Sequence, residues 1–183
     1  MVRLLIILSL IIHCVQPRLC DAKKPQEALE FEAKLALIYN FAKFTTWPDD
    51  TFQEDDTPFT FAVLGENPFG ETWDILDGKM MHGRPIVIRH FPGLENLEDP
   101  VSVQVLYCAI DDLEFLIEEN PDLLYHAHVL TVGAGKGFVA AGGILQLDFI
   151  DEHLAFEVNI GTARLTEVEI SSNLLKLATD VIE

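Results

Sequence analysis

The stretch TVGAGKGFVAAGGI, Thr131 to Ile144, holds five glycines and one lysine in fourteen residues. A glycine-rich loop with a lysine can cradle phosphate on its backbone N–H groups. The spacing here rejects that chemistry. A G-x-x-x-x-G-K-[ST] loop through Gly135-Lys136 needs glycine at Leu130 and a hydroxyl residue at Gly137. A G-x-G-x-x-G run begun at Gly133 or Gly135 meets Phe138 or Ala140 where its last glycine belongs. Both motifs also need a helix N-terminus to receive the phosphate, and the residues after Gly137 read as extended. The glycines are therefore assigned to turns after a core strand, with Gly142-Gly143 opening a hairpin where chains pass closely.

Other reactive types fare no better. His126-x-His128 on one side of a strand has the spacing of a metal pair, with His153 as a third ligand. The same residues suit polar positions at the start of a strand. No cysteine or carboxylate cluster completes the set, so no metal or other cofactor is expected. Ser171-Ser172 lack a G-x-S-x-G elbow and suit helix capping. Cys108 lies in the apolar run VQVLYCAI, where a buried, inert thiol is expected. These residues form no catalytic constellation, and an enzyme is not expected. Arg84, Arg89 and His90 gather scarce cations in one segment. They suit either an anionic ligand or pairing with nearby acids.

Charge narrows the partners. The 183-residue chain carries 30 acidic and 12 basic side chains, a net charge of −18. Such a surface repels phosphate backbones and anionic lipids, which excludes nucleic-acid and peripheral membrane binding. Arg3 followed by the apolar run Leu4 to Ile12, then Cys20-Asp21-Ala22, reads as a secretory leader over residues 1–22, cleaved after Ala22. Residues 23–183 then form one domain, long enough for its own core. Cys14 and Cys20 leave with the leader, so Cys108 has no partner for an internal disulfide.

The elements that must position these residues follow from periodicity. PQEALEFEAKLALIYNFAKFTTWP reads as a helix between Pro25 and Pro48. Phe31, Leu35, Ile38 and Ala42 make one apolar face, and Leu37, Phe41 and Phe44 a second, which predicts a cover on two sides, such as a second subunit. FTFAVLG, RPIVIRHF, VQVLYCAI and HAHVLTVG read as strands. FGETWDILDG and LEFLIEEN between them read as helices. ILQLDF and LAFEVNI read as an antiparallel hairpin around IDEH. GTARLTEV and SSNLLKLATDVI read as closing helices. The class is α/β: a single domain with an open, mostly parallel sheet flanked by helices and a C-terminal antiparallel hairpin.

Taken in order, LALIYNFAKFTTWP, FAVLGENPFGETWDILDGKMMHGRPIVIR, LTVGAGKGFVAAGGILQLDF and LAFEVNIGTARLTEVEISSNLLKLA resemble the YfiR (HmsC-like) family of exported bacterial proteins. The carrying residues are Tyr39-Asn40-Phe41 with Trp47-Pro48, Gly83-Arg84-Pro85, Gly142-Gly143-Ile144, and Phe156-x-x-Asn159 with Ala163 and Ile170-Ser171-Ser172. The resemblance implies a periplasmic, homodimeric regulator that binds the sensor part of an inner-membrane diguanylate cyclase (YfiN-like) and holds it inactive. It also implies release of the cyclase by an outer-membrane YfiB-like lipoprotein, with biofilm and exopolysaccharide as the output. The disulfides of the family's type member have no counterpart in the lone Cys108. The resemblance further suggests a small-molecule pocket near Arg84, Glu157, Asn159 and Arg164, although Asn159 also suits a cap and Arg164 a charge offset. The alternative function is a periplasmic small-molecule-binding module feeding another membrane receptor, such as a histidine kinase.

Overall fold

The computed structural model describes residues 23–97, 102–110, 123–150 and 153–183. The expected leader, the expected LEFLIEEN helix and the middle of the IDEH turn lie outside the described residues.

The first helix, α1 (Lys23–Lys43), buries Leu35, Ile38, Phe41 and Ala42 on the sheet. Its end is fixed locally: the Thr45 hydroxyl donates to the Phe41 carbonyl at 2.8 Å, and β-branched Thr45 and Thr46 start β1 (Thr45–Thr46). The predicted second apolar face divides. Phe41 joins the same core and Leu37 packs against it, while Phe44 stays half exposed. One broad arc of the helix thus meets its own domain. What remains open runs along Leu29, Ala36, Asn40 and Phe44.

The main strands are β2 (Phe59–Gly65), β3 (Met80–Met81), β4 (Arg84–Phe91), β5 (Val105–Ala109), β6 (Leu130–Ala134), β7 (Leu145–Ile150), β8 (His153–Asn159) and a late β10 (Asp180–Ile182). They form an eight-stranded sheet in the order β10-β8-β7-β6-β5-β2-β4-β3. The central five strands are parallel; β8 turns antiparallel to β7, and β3 turns antiparallel to β4. All seven residues of β2 are buried, as a strand covered on both faces requires. A short 3₁₀ helix (Gly70–Leu76) links β2 towards β3 and β4 and buries Trp73 and Leu76. A two-residue strand β9 (Glu169–Ile170) pairs with β1 and ties the far end of the chain to α1. The single-domain α/β class and the β7–β8 hairpin are as the sequence implies.

Alternation splits the core. Phe59, Phe61, Val63, Tyr107, Val132, Leu147 and Phe156 face α1 and the Gly70–Leu76 helix. Ala62, Leu64, Leu106, Cys108, Val129 and Phe138 form a smaller cluster on the opposite face. Phe138 reaches it because glycine stands on either side. A Cβ at Gly133 or at Gly143 would fall onto the Phe138 ring. The glycine-rich stretch is therefore a socket for one aromatic ring, and it joins parallel β6 and β7 through residues 135–144.

Two expectations need correction. HAHVLTVG becomes extended only at Leu130, because His128 adopts φ 66° and its N–H donates to the Thr166 carbonyl at 2.6 Å. The final helix, α3 (Ser172–Leu175), is one turn long rather than reaching Ile182. The Thr179 N–H and hydroxyl both donate to the Phe156 carbonyl at 2.9 Å, and Asp180–Ile182 then pair with Glu157–Asn159 as β10. A continuing helix would have left that edge of β8 unpaired, and Val181 and Ile182 favour the extended form.

Candidate functional site

Arg84 opens β4. Its Nη1 donates to the carbonyl oxygens of Glu54, Asp55 and Thr57 at 2.9, 3.0 and 2.7 Å, and its guanidinium lies 4.0 Å from the Phe52 ring centroid. It closes the 52–58 loop and borders a hollow of about 250 Å³ with Trp47, Phe52 and His82. Arg89 and His90 lie near the other end of the strand, where His90 Nε2 meets the Gly65 carbonyl at 2.7 Å. Five residues of strand place Arg89 about 17 Å from Arg84, so these cations do not converge.

Glu157 and Asn159 lie two residues apart on β8, and Arg164 lies on the following helix, α2 (Ile160–Leu165). The Gln146 amide donates to Glu157 at 3.3 Å and to Asp148 at 2.8 Å, so it spans two carboxylates across the β7–β8 pair. Asn159 caps α2: its Oδ1 accepts from the Thr162 N–H at 2.8 Å, and its Nδ2 donates to the Val139 carbonyl at 3.0 Å. Arg164 is exposed and lies 3.8 Å from Glu183. These three share one end of the sheet. Arg84 lies five strand spacings away, about 24 Å, so the four residues do not line one cavity.

His128 is held rather than free. Its carbonyl accepts from the Trp47 indole at 2.8 Å, and its Nε2 lies 3.0 Å from Glu167 and 3.8 Å from Asp50. Sequence spacing had paired it with His126 on a strand, but His126 precedes the strand and His128 turns towards Glu167 instead. Among the described residues, no group of three His, Cys, Asp or Glu side chains is arranged to hold a metal ion.

A larger feature escaped the sequence reading. A groove of about 670 Å³ runs between α1 and the Gly70–Leu76 helix, lined by Leu35, Ala36, Tyr39 and Ile75 and edged by Glu32, Glu71 and Lys79. Exposed Leu29, Phe44, Ile75 and Met80 lie on α1, just beyond it and on the facing segment. The only trace in the sequence was the excess of apolar residues around α1; Ile75 and Lys79 join only because the chain folds back.

Fold and surface together define an α/β domain with a groove between α1 and the Gly70–Leu76 helix. The chain belongs to the YfiR/HmsC-like family, whose model matches residues 31–179. That family is one of periplasmic regulators in cyclic di-GMP signalling. Among solved structures, the chain is similar to a conserved domain protein from Vibrio cholerae, with a TM-score of 0.50 and 14% identity. The match covers 82% of this chain and 60% of that one, so this chain spans less than two thirds of its length, and the likeness concerns the fold alone. No protein of curated function matches.

Proposed function

We propose that this protein is exported to the periplasm and binds the sensor part of an inner-membrane diguanylate cyclase, holding it inactive. A YfiB-like outer-membrane lipoprotein would compete for it, and its resting form would be a homodimer. The family match over residues 31–179 carries this reading. The α1 groove supports it: an apolar lining edged by two acids, Glu32 and Glu71, against one base, Lys79, suits a partner that offers an apolar anchor with basic residues beside it. A net charge of −18 adds attraction for such a partner and speeds encounter.

The test is co-purification with a membrane diguanylate cyclase from the same cells, with cyclic di-GMP measured alongside. Deleting the gene should raise cyclic di-GMP and exopolysaccharide, and Ile75→Glu should reproduce the deletion while leaving thermal stability unchanged. Unchanged cyclic di-GMP after deletion under every growth condition would end this reading. Light scattering of the purified protein tests the dimer; a monomer at micromolar concentration would remove that part alone.

A further inference from the structure

The order β6-β5-β2-β4 places β2 at a reversal of the winding. The chain leaves β2 towards β4 on one side, returns across to β5 on the other, and continues outward to β6. Such a reversal lies at the carboxyl ends of β2 and β5, and open α/β sheets bind ligands in the crevice at this point.

A cavity of about 360 Å³ lies at that crevice. Ala109, at the end of β5, lines it; a Cβ at its register partner Gly65, at the end of β2, would strike the Ala109 carbonyl, so the two backbones meet directly beside the cavity. Phe31 and Tyr107 supply apolar wall, and Asn67 stands on the loop after β2. Asn67 keeps that loop in place by accepting from the Phe69 N–H at 2.9 Å. Burial, helped by neighbouring Cys108, pushes the Tyr107 phenol up to about 12, so its hydroxyl remains a hydrogen-bond donor.

Lys34 is the cation of the crevice. Its Nζ lies 5.6 Å from both the Phe31 and Phe149 ring centroids. Among the described residues, no carboxylate lies within ion-pair distance of it. Lys34 is half-buried, and its contacts among the described residues are these two rings. Glu66 stands at the mouth, exposed to water, which weakens its hold on Lys34.

We infer that the crevice at the ends of β2 and β5 binds a small organic monocarboxylate, with the carboxylate on Lys34 and the apolar body against Phe31 and Tyr107. One ammonium matches one carboxylate, and the volume accommodates a short chain or a single ring. This site is separate from the α1 groove and from the β8–α2 end, and it does not rest on the proposed partner.

Binding of benzoate and hexanoate to the purified protein, followed by ligand-observed NMR and calorimetry, tests the inference, with benzamide and hexanamide as uncharged counterparts. The acids should bind saturably and at least tenfold more tightly than the amides. Lys34→Gln should erase that preference, and Glu66→Gln should tighten acid binding about twofold to fivefold, as removal of a nearby like charge predicts. Ala134→Phe, at the exposed rim, should block binding while the melting temperature stays that of the parent. Equal binding of acids and amides, an unaltered acid preference in Lys34→Gln, or no saturable binding by a folded protein would each overturn the site.

Discussion

The two faces of the sheet solve the same burial problem differently. The α1 face is aromatic and redundant. Phe69 stacks on Trp73 at 4.8 Å and meets Tyr107 and Phe31 edge-on at 4.8 and 6.2 Å, while Phe41 meets Phe156 and Trp47 meets Phe59. The opposite face, among the described residues, is a small cluster in which Phe138 is the one aromatic ring that is fully buried. A ring lost on the first face leaves neighbours that can shift into the gap. A ring lost on the second leaves a socket shaped by two glycines that have no side chains to fill it.

The sharpest break of this contrast is Phe138→Ala, expected to cost about 4–5 kcal/mol, the upper part of the roughly 3–5 kcal/mol range for truncating a buried phenylalanine. Phe69→Ala should fall at or below the lower end of that range, because Phe31, Trp73 and Tyr107 border the vacated space. Urea unfolding of both variants measures the difference; equal losses would mean that the faces relax alike. The converse substitution, Gly143→Ala, pushes a methyl into the ring and should cost about 1–3 kcal/mol. The same change in a Phe138→Ala background should cost almost nothing, and a double-mutant cycle reads that coupling. Additive losses would show that Gly143 serves its backbone and not the ring.

Titration separates the faces as well. Burial pushes the Cys108 thiol, on the small face, from 9.0 up to about 12. Burial and then Cys108 push the Tyr107 phenol, on the α1 face, from 10.0 up to about 12. In both, the folded state holds its proton at a pH where the unfolded chain has released it. Stability is therefore whole below about pH 9 and falls as pH rises, by up to about 1.4 kcal/mol per pH unit for each group. Cys108→Ala should move the onset of that loss from about pH 9 to about pH 10, and Tyr107→Phe should leave the onset and reduce the slope above it. An onset that ignores Cys108 would place the thiol in contact with water.

What the sequence made legible was whatever a local period encodes. The spacing of Leu35, Ile38 and Ala42 marks α1, the unbroken apolar run of FTFAVLG marks a strand covered on both faces, and the alternation of ILQLDF marks the hairpin. What it hid depends on contacts distant in the chain. Val181 and Ile182 fit a helical spacing with Leu174 and Ala178, and only the unpaired edge of β8 draws them into a strand. Arg84 looked available for a ligand because nothing local shows that the carbonyls of Glu54, Asp55 and Thr57 converge on it. The glycines of TVGAGKGFVAAGGI were legible as structural by their spacing, but the ring they surround lies between them in the sequence and was not identified as their purpose. The α1 groove needed the Gly70–Leu76 helix to fold back against α1, which no periodicity announces.

The smallest effect tests how the glycine socket is held to the hairpin. Asn159 bonds both the start of α2 and the connection carrying Phe138, through the Thr162 N–H and the Val139 carbonyl. Asn159→Ala removes the cap acceptor and the donor together and should cost about 1–2 kcal/mol, in the range of a lost N-cap. Asn159→Asp keeps an acceptor for Thr162, strengthened by the positive end of the helix, and loses only the donor to Val139. It should therefore cost less than Asn159→Ala, and its loss should appear as faster amide exchange along residues 138–143 rather than within α2. If exchange rises in α2 alone, the Val139 bond contributes nothing, and the small face is held only by the packing of Phe138 against its glycines.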